Sequence, residues 1–518
     1  MTSNSPAPFD SVRFTFAATA LVMLAVLWLY AIGWALIGHP IYRDQHMGAA
    51  IEYASKGIDL LRPIIVGFNA TGTGTPQELP LWQAAASVGL NLFGGWWGGA
   101  TIASLLLFTI FLPCFYQTAK WENDVCFAWF AVALLLAQPI VFHLAGGAQT
   151  DGFSLALLLG FVWSTEWLRR ERGVGTYLVC ALLASLLAVT KFPYLLTGGF
   201  AATLMLFWQR APLKSWLLLA GAAVVAAAAF LPWNSWCNAE IGRALFKYRP
   251  LTISENPEWF FGSLGYRLDP TNYVKAGWRA LSCLWGSFVL IGLTLYGLWL
   301  RPKSLGASLL VGALATTLIF TKLVLIHRHY YLMFSPAIAL LNTYAMFDLR
   351  QRLLNLSATQ SVLASAGVLA VLTLSLLQGL MQIEALNLTA DPYMRELAKK
   401  VAEHTAPDEK IVVINGGWGG DLLILSGRRG LSADTPDIVK VRHQGHDLQS
   451  MGYSKVVIAS ESPLLYAAQV TNPGSGNRQR VLWESFATEA SSMWEDVYCS
   501  QDMVIKKLPA TPLVNKYP

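Results

Sequence analysis

The most prominent feature of this chain is a series of long apolar runs separated by short polar segments. A helix needs roughly 17–25 consecutive, mostly apolar residues to cross the hydrocarbon core of a bilayer. Eleven runs meet that requirement, and we predict a membrane span at each of them. The predicted spans lie at 13–37, 98–117, 124–144, 152–168, 175–190, 193–209, 215–233, 280–300, 304–325, 330–348 and 361–382.

The short segments between the spans predict the orientation of the chain. Cytoplasmic loops of membrane proteins carry an excess of Lys and Arg. Alternate segments here are rich in these residues, and the short ones between them have at most one. The basic residues are Arg169, Arg170 and Arg172, then Arg210 and Lys214, then Arg301 and Lys303, and finally Arg350 and Arg352. With the N-terminus in the cytoplasm, an odd number of spans places the C-terminus outside.

Two of the predicted outer loops are long, at 38–97 and 234–278. The first contains an apolar stretch at 79–93 that is too short and too interrupted to span, so we predict a helix lying on the membrane there. The second is rich in Trp, Tyr and Arg, which favour the headgroup level of a membrane.

The apolar runs end near residue 383, and a different kind of pattern follows. Residues 391–405 predict an amphipathic helix, and segments 410–415 and 455–459 predict buried strands. The predicted fold class is therefore an all-α multi-span membrane domain at 1–382 followed by a small soluble α/β domain at 383–518.

Composition agrees with a membrane protein and excludes other classes. Hydrophobic residues make up 54% of the chain and charged residues only 13%, against about 25% in a typical soluble domain. The net charge of +6 is small for 518 residues and lies in loops, so we expect no nucleic-acid partner. The six cysteines include no CxxC pair, which excludes a cysteine-based zinc site and disfavours a disulfide framework.

The charged residues that could carry chemistry are concentrated on the predicted outer side. Asp44 follows the first span, Asp151 opens a later one, and Lys191 lies in a tight turn between two others. Cations stabilise a phosphate and a carboxylate can deprotonate a hydroxyl, so this grouping suits an anionic lipid substrate. The other candidates are Glu78, Arg243, Lys247, Arg249, Arg267, Arg279 and the segment 327–331.

Each candidate also has a structural interpretation. Asp44 and Asp151 could be carboxylates at helix ends, where an acid gains about 0.3–1 kcal/mol from the helix dipole. Lys191 and Lys322 could extend their amines to the membrane surface, and the histidines of 327–331 could pack in an aromatic belt.

Short motifs occur in a fixed order along the chain. They are RDQ at 43–45, QELPLW at 77–82, FG at 93–94, QTDG at 149–152, TKFP at 190–193 and HYYL at 329–332 with Pro336. This order resembles that of the large polytopic glycosyltransferases of the C-type fold, which include protein O-mannosyltransferases and the aminoarabinose transferase that modifies lipid A. Those proteins have an acidic pair after the first span, an E/K-P-P-like element leading to an aromatic residue, and Phe-Gly before the second span. A second acidic site, a T-K-x-P element and an H-x-Y-Y-L…P element follow.

The resemblance covers about residues 10–350 and implies an inverting transferase that uses a polyprenyl-phosphate sugar. It implies catalytic roles for Asp44, as the base that activates the acceptor hydroxyl, and for Asp151, which would orient the acceptor or Asp44. The Asp44 role parallels the base of inverting glycosidases. The implied donor-phosphate residues are Lys191, Arg279, Arg328, His327, His329, Tyr330 and Tyr331.

Acceptor or sugar contacts are implied for Arg43, Glu78 and Trp82. Glu78, with a histidine, is the possible site of a divalent metal, and no other cofactor is implied. Two departures from the family pattern stand out. Gln45 replaces the second acid of the usual pair, and Leu79 replaces a lysine that relatives carry after the loop glutamate.

The implied partners are a polyprenyl-phosphate-linked sugar, the lipid bilayer, and a glycan, lipid or protein acceptor. The tail and compact loops resemble bacterial members, so we expect a bacterial inner membrane with the C-terminal domain in the periplasm. In that domain the basic segment 428–429, with 440–443, is typical of a solvated face, although such a patch could attract an anionic polymer.

Two other function classes stay open. A transporter or flippase of lipid-linked sugars would carry charges near the middle of the membrane or paired broken helices. A non-catalytic membrane scaffold with a binding tail gives no reason for Asp44, Asp151 and Lys191 to gather on one side of the membrane.

Overall fold

The structure is a computed structural model that describes residues 8–36, 44–61, 78–242, 257–353, 370, 373–374, 376–379, 381, 392–414, 421–433, 452–459, 496–499 and 503–507. In chain order the helices are α1 (Pro8–Leu36), α2 (Asp44–Lys56), α3 (Leu81–Leu92), α4 (Gly98–Glu122), α5 (Val125–Leu136), α6 (Pro139–Leu144), α7 (Thr150–Glu171), α8 (Val174–Thr190), α9 (Phe192–Trp208), α10 (Leu213–Gly242), α11 (Pro257–Phe261), α12 (Leu264–Leu268), α13 (Pro270–Ala280), α14 (Phe288–Leu300), α15 (Leu305–Ile319), α16 (Thr321–Ile326), α17 (Ser335–Leu353), α18 (Pro392–His404) and α19 (Asp421–Leu425). A π-helical turn occupies Leu281–Trp285, and a 3₁₀ turn occupies Arg328–Phe334.

The chain divides into two compact units. The first comprises Met1–Ile41, Val88–Trp236 and Leu251–Leu388. The second comprises Tyr42–Ser87, Cys237–Pro250 and Thr389–Pro518. Most of the first predicted outer loop therefore shares a unit with the C-terminal segment.

Apolar helices dominate the first unit, as expected for a multi-pass membrane protein. Four helical segments of the described residues are long and apolar enough to cross a membrane: Phe16–Leu36, Gly98–Glu122, Leu213–Ala239 and Arg328–Leu349. A fifth candidate is a pair, Pro270–Trp285 and Phe288–Leu300, bent by 87°. Shorter apolar helices coincide with other predicted spans. The count of eleven stays a prediction, and most of the predicted span 361–382 lies outside the described residues.

Several predicted spans are interrupted, for local reasons. The run at 124–144 splits into α5 and α6, where Pro139 opens α6 because proline cannot donate to the preceding turn. The run at 280–300 begins with the π-helical turn and then bends at Gly286, whose φ of +66° favours glycine. The predicted boundary at 190–193 is confirmed, since α8 ends at Thr190 and α9 begins at Phe192.

Close backbone approaches hold the helices of the first unit together. Helix α15 packs on α9, and α4 packs on α7. A Cβ added to Gly312 of α15 would lie 2.3 Å from the carbonyl oxygen of Thr197 on α9, so only glycine permits this contact. Small residues serve the same purpose at helix interfaces in lipid, where no hydrophobic effect draws helices together.

The second unit contains a five-stranded sheet among its described residues. The strands are β1 (Lys410–Ile414), β2 (Arg429–Ala433), β3 (Tyr453–Ala459), β4 (Asp496–Cys499) and β5 (Met503–Lys507), and their order is β2-β1-β3-β5-β4. Strands β2, β1 and β3 are parallel, and β5 is antiparallel to β3 and β4.

The predicted α/β character of the C-terminal segment is thus confirmed within the described residues. The predicted strands correspond to β1 and β3, and the predicted amphipathic helix to α18, which buries Leu397 and Val401. Strands β2, β4 and β5 were not predicted from the sequence. The boundary at residue 383 and the solubility of this segment stay predictions.

Candidate active site

A buried ion pair joins two of the predicted site residues in the first unit. The Lys191 Nζ atom lies 3.2 Å from Asp151 Oδ1. The side chains are 3% and 0% exposed, respectively. Burying a charge is costly unless it is paired. The pair therefore places a positive and a negative group together in a protein interior.

Local sequence explains how these two side chains meet. Asp151 lies in the first turn of α7, and the following Gly152 lets that turn approach α6, since a Cβ there would lie 2.7 Å from the Leu144 carbonyl oxygen. Lys191 lies between α8 and α9, as the C-cap of the first and the N-cap of the second, with an extended φ of −155°. Pro193 in the first turn of α9 favours this break between the two helices.

The 3₁₀ turn brings further predicted residues to the pair. His329 Nε2 lies 4.0 Å from Asp151 Oδ1. The Lys191 amine lies 5.3 Å from the centre of the Tyr330 ring, a cation–π distance. The hydroxyl of Tyr194, on α9, donates to the His329 carbonyl at 3.1 Å and so fixes the turn.

Two polar atoms beside the pair have unused hydrogen-bonding capacity. The Gln149 side-chain nitrogen and the Thr190 hydroxyl are buried, and neither has a hydrogen-bond partner among the described residues. Buried polar groups usually have partners. Gln149 and Thr190 flank Asp151 and Lys191 in the sequence, but the sequence analysis gave neither a role of its own.

Other predicted cations lie around the same turn. An Nη1 atom of Arg279 donates to the carbonyl oxygens of Leu325, at 3.0 Å, and Ile326, at 3.4 Å, and thereby satisfies the end of α16. The Tyr331 hydroxyl is 3.4 Å from the same Leu325 oxygen. Arg328 is partly buried and lies within electrostatic range of Arg279.

An aromatic group that the sequence analysis missed surrounds His327. The Trp259 ring packs edge-on against His327 with centroids 5.6 Å apart. The Lys322 amine lies 5.8 Å from the rings of both Trp259 and Tyr266. Lys322 is therefore held by aromatic faces, not simply extended to a surface. The many aromatic residues of loop 234–278 were the sequence feature that could have predicted this group.

Tyr266 stays protonated in this setting. Burial raises the pKa of its phenol, with smaller contributions in the same direction from Tyr273 and Asp269, while Arg279 acts against the shift.

The predicted residues at 43–44, 78, 82 and 243–249 belong to the second unit. Asp44 is the first residue of α2, and the structure describes its backbone but not its side chain. Arg43 lies outside the described residues, as do Arg243, Lys247 and Arg249. How Asp44 is placed relative to Asp151 and Lys191 stays a prediction.

Glu78 has a histidine neighbour, which the sequence analysis did not identify. His46 Nε2 lies 3.6 Å from Glu78 Oε2. The Trp82 ring centre is 6.2 Å from that of His46. Trp82 is fully buried, and its predicted contact with an acceptor or a sugar stays a prediction.

A divalent metal would find two suitable ligands here. Glu78 and His46 supply one oxygen and one nitrogen. Within the described part of the chain, no group of three or more His, Cys, Asp or Glu side chains is arranged to hold a metal.

Comparison with known proteins decides the fold. No family model matches the sequence, and no curated protein matches it significantly. Among solved structures, ArnT from Cupriavidus metallidurans bound to undecaprenyl phosphate has a TM-score of 0.59 at 14% identity, over 97% of this chain and 99% of that one. The Archaeoglobus fulgidus oligosaccharyltransferase in the apo form has a TM-score of 0.52 at 12% identity, over 94% of this chain and 73% of that one.

This chain has the C-type glycosyltransferase fold. A third neighbour, the archaeal oligosaccharyltransferase AglB in complex with an inhibitory peptide and a dolichol-phosphate, has a TM-score of 0.50 at 12% identity, over 85% of this chain and 69% of that one. The C-type fold predicted from the motifs is therefore confirmed, and the buried Asp151–Lys191 pair lies within it.

Proposed function

We propose that this C-type protein is an inverting glycosyltransferase that moves a sugar from a polyprenyl phosphate to an acceptor hydroxyl on the outer face of the membrane. The observation that carries the proposal is the buried Lys191 ammonium, held by Asp151 with His329 and Tyr330 beside it. A preorganised cation in a water-poor site is what a departing phosphate dianion requires. Two neighbours of the same fold were solved with undecaprenyl phosphate and dolichol-phosphate.

At the donor end, the bond between the anomeric carbon and the phosphate oxygen breaks, and its electron pair leaves with the phosphate. Lys191 stabilises the developing negative charge, with Arg279, Arg328, His327 and His329 around it. Asp151 holds Lys191 and His329 in place, which is what its observed contacts support. Tyr330 and Tyr331 shape the same turn. The Gln149 amide and the Thr190 hydroxyl are available to the phosphate or the sugar.

At the acceptor end, Asp44 removes the proton of the acceptor hydroxyl as the oxygen attacks the opposite face of the sugar. A single carboxylate suffices for this step, since the phosphate needs no proton to leave. Arg43 and Glu78 bind the sugar or the acceptor. A divalent metal held by Glu78 and His46 would add positive charge for a phosphate.

The acceptor is a glycan, a lipid or a protein, and the protein resides in a bacterial inner membrane with its C-terminal segment in the periplasm. This orientation is supported by the basic residues of alternate short loops.

The deciding experiment is a transfer assay with the purified full-length protein in proteoliposomes. The donors are undecaprenyl-phosphate sugars carrying radiolabelled hexoses or aminopentoses, and the acceptor is an extract of bacterial envelope lipids and glycans. We expect Asp44→Asn to lower kcat by about 10²–10⁴-fold, the usual contribution of a general base. Arg352→Met, in an exposed ion pair with Asp348, is the control and keeps wild-type transfer.

Two results would contradict parts of the proposal. Full transfer by Asp44→Asn would show that another group is the base. Movement of the intact donor between leaflets, without transfer to any acceptor, would show a flippase.

A further inference from the structure

The helix that begins at Asp44 is held in place by more than its own sequence. Helix α2 has only 13 residues, and isolated helices of that length are marginal in water. It buries His46, Met47, Ala50 and Tyr53, so tertiary packing must stabilise it. The packing partner within the same unit includes α19, whose Leu422 and Leu423 are fully buried.

A buried carboxylate on α2 makes a charged contact that reaches from this helix to the sheet. The Glu52 side chain is 6% exposed, and its Oε1 atom lies 3.1 Å from Arg429 Nε. Its Oε2 atom lies 2.8 Å from the Nζ of Lys56, four residues later on the same helix. Removing a partner from a buried ion is costly, so Glu52 opposes displacement of α2 from Arg429.

The backbone of Arg429 is fixed in place by the sheet. It is the first residue of β2, the edge strand, and pairs in register with Lys410 of β1. The next residue, Gly430, lies so close to β1 that a Cβ there would be 1.7 Å from the Ile411 carbonyl oxygen. The backbone at Arg429 therefore cannot shift without disturbing the sheet.

We propose that the ion pair between Glu52 and Arg429 positions α2, and with it Asp44, on the C-terminal sheet. The sheet thus fixes the position of the catalytic base Asp44, in addition to any contact that the sheet makes with the acceptor. This inference rests on the proposed function, because it takes Asp44 as the base. Glu52 and Arg429 are positioning residues, eight residues or more away from Asp44 in the chain, and need touch no substrate.

The test separates kcat from the KM for the donor in the transfer assay described above. Arg429→Met releases Glu52, and small misplacements of a catalytic group cost up to about 10²-fold. We expect kcat to fall by about 10-fold or more, while the KM for the undecaprenyl-phosphate sugar stays unchanged, since the proposed phosphate cations belong to the first unit. Arg429→Lys, which keeps the charge, should recover most of kcat.

A double-mutant cycle shows whether the two residues act as a pair. Glu52→Gln with Arg429→Met should be no slower than Arg429→Met alone, because the same contact is lost only once. Hydrogen exchange should show faster exchange of α2 amides in Arg429→Met and in the double variant.

Two control variants match the test. Lys56→Met removes the other cation that contacts Glu52. Because Lys56 lies on α2 itself, its ion pair does not connect α2 to the sheet. The kcat of this variant should therefore stay at the wild-type value. Lys455→Met removes the 2.9 Å ion pair with Glu409. It lowers the stability of the sheet without touching α2, so the folded protein should also keep its kcat.

The outcomes are distinguishable. If Asp44→Asn is inactive while Arg429→Met keeps the wild-type kcat, the positioning inference is wrong and the proposed function stands. If Asp44→Asn transfers normally, the base assignment fails whatever the Arg429 variants do. A loss in Arg429→Met that Lys455→Met reproduces would overturn the inference, because it would reflect the stability of the sheet alone.

Discussion

Asp151 and Lys191 differ from most charged residues of this chain in being buried together. A pair on a surface contributes about 0–1 kcal/mol and tolerates loss of either member. A buried pair is different, because removing one member leaves the other charged in a medium that solvates it poorly. A buried ion pair adds little net stability to a fold, because desolvation of the two charges offsets their attraction. This supports a role for the Asp151–Lys191 pair in binding an anion.

Asp151→Asn should therefore destabilise the protein as well as slow transfer. We expect a loss of about 3–5 kcal/mol, because the Lys191 ammonium loses its carboxylate partner. The apparent melting temperature of the full-length protein in detergent should fall. Asp151→Asn with Lys191→Met should recover most of that loss, since both charges are gone, yet remain inactive.

Arg352→Met is a suitable control for the melting experiment. Its partner Asp348 is on the same helix, and the Arg352 side chain is 65% exposed, so the melting temperature should hardly change. If the double variant were as unstable as Asp151→Asn, the pair would not explain the destabilisation.

At the scale of elements, the sequence predicted those helices and strands whose pattern is set by residues close together in the chain. The helix at 392–404 has a regular apolar face, and β1 and β3 are runs of branched apolar residues, so all three were recognisable. Strand β2 was not, because its sequence of Arg, Gly, Leu, Ser and Ala has no such pattern and depends on pairing with β1. The breaks inside predicted spans lie at Pro139 and at Gly286, where a single residue interrupts a long apolar run.

Arg428, just before β2, is more buried than the sequence suggested. The sequence suggested a solvated face for 428–429, and that interpretation was wrong for Arg428, which is 9% exposed. Its guanidinium donates to the carbonyl oxygens of Ala402, at 2.8 Å, and Thr405, at 2.7 Å, and so caps the end of α18. A cation at a helix C-terminus also complements the helix dipole.

Arg428→Met should loosen α18. It leaves buried carbonyl oxygens without their donors, and an unsatisfied buried group costs about 1–3 kcal/mol. Hydrogen exchange of the amides at 396–404 in the full-length protein should accelerate by the corresponding factor of about 5–150. Lys399→Met, which changes an exposed residue of the same helix, should leave the exchange rates unchanged.

At the scale of the whole molecule, the motifs predicted the C-type fold, because their order records the succession of spans and outer turns. They could not predict that Tyr42–Ser87 would join Thr389–Pro518 in one unit. Glu52 and Arg429 lie nearly a whole chain apart and carry no shared pattern. The grouping of Asp151 with Lys191 was predictable only as a common side of the membrane, and its ion pair needed the structure.

The second unit should also respond to pH through Glu409, which joins the region before β1 to β3. Burial by itself raises the pKa of this carboxyl, but hydrogen bonds from Ser454, Lys455 and the Ala406 amide outweigh it and hold the pKa below its ordinary value of 4.5. A group with a lowered folded-state pKa stabilises the protein above its unfolded-state pKa. That stabilisation is lost as the pH falls through the folded-state value.

Glu409→Gln should therefore differ from the wild type at neutral pH and resemble it in acid. We expect faster amide exchange in β1 and β3 of the variant at pH 7, after correction for the intrinsic rates, and a difference that narrows as the pH falls below 4.5. Exchange in α7 and α9 of the first unit should be the same in both proteins. A difference that persisted unchanged in acid would mean that the Glu409 charge contributes nothing and that the substitution acts through packing.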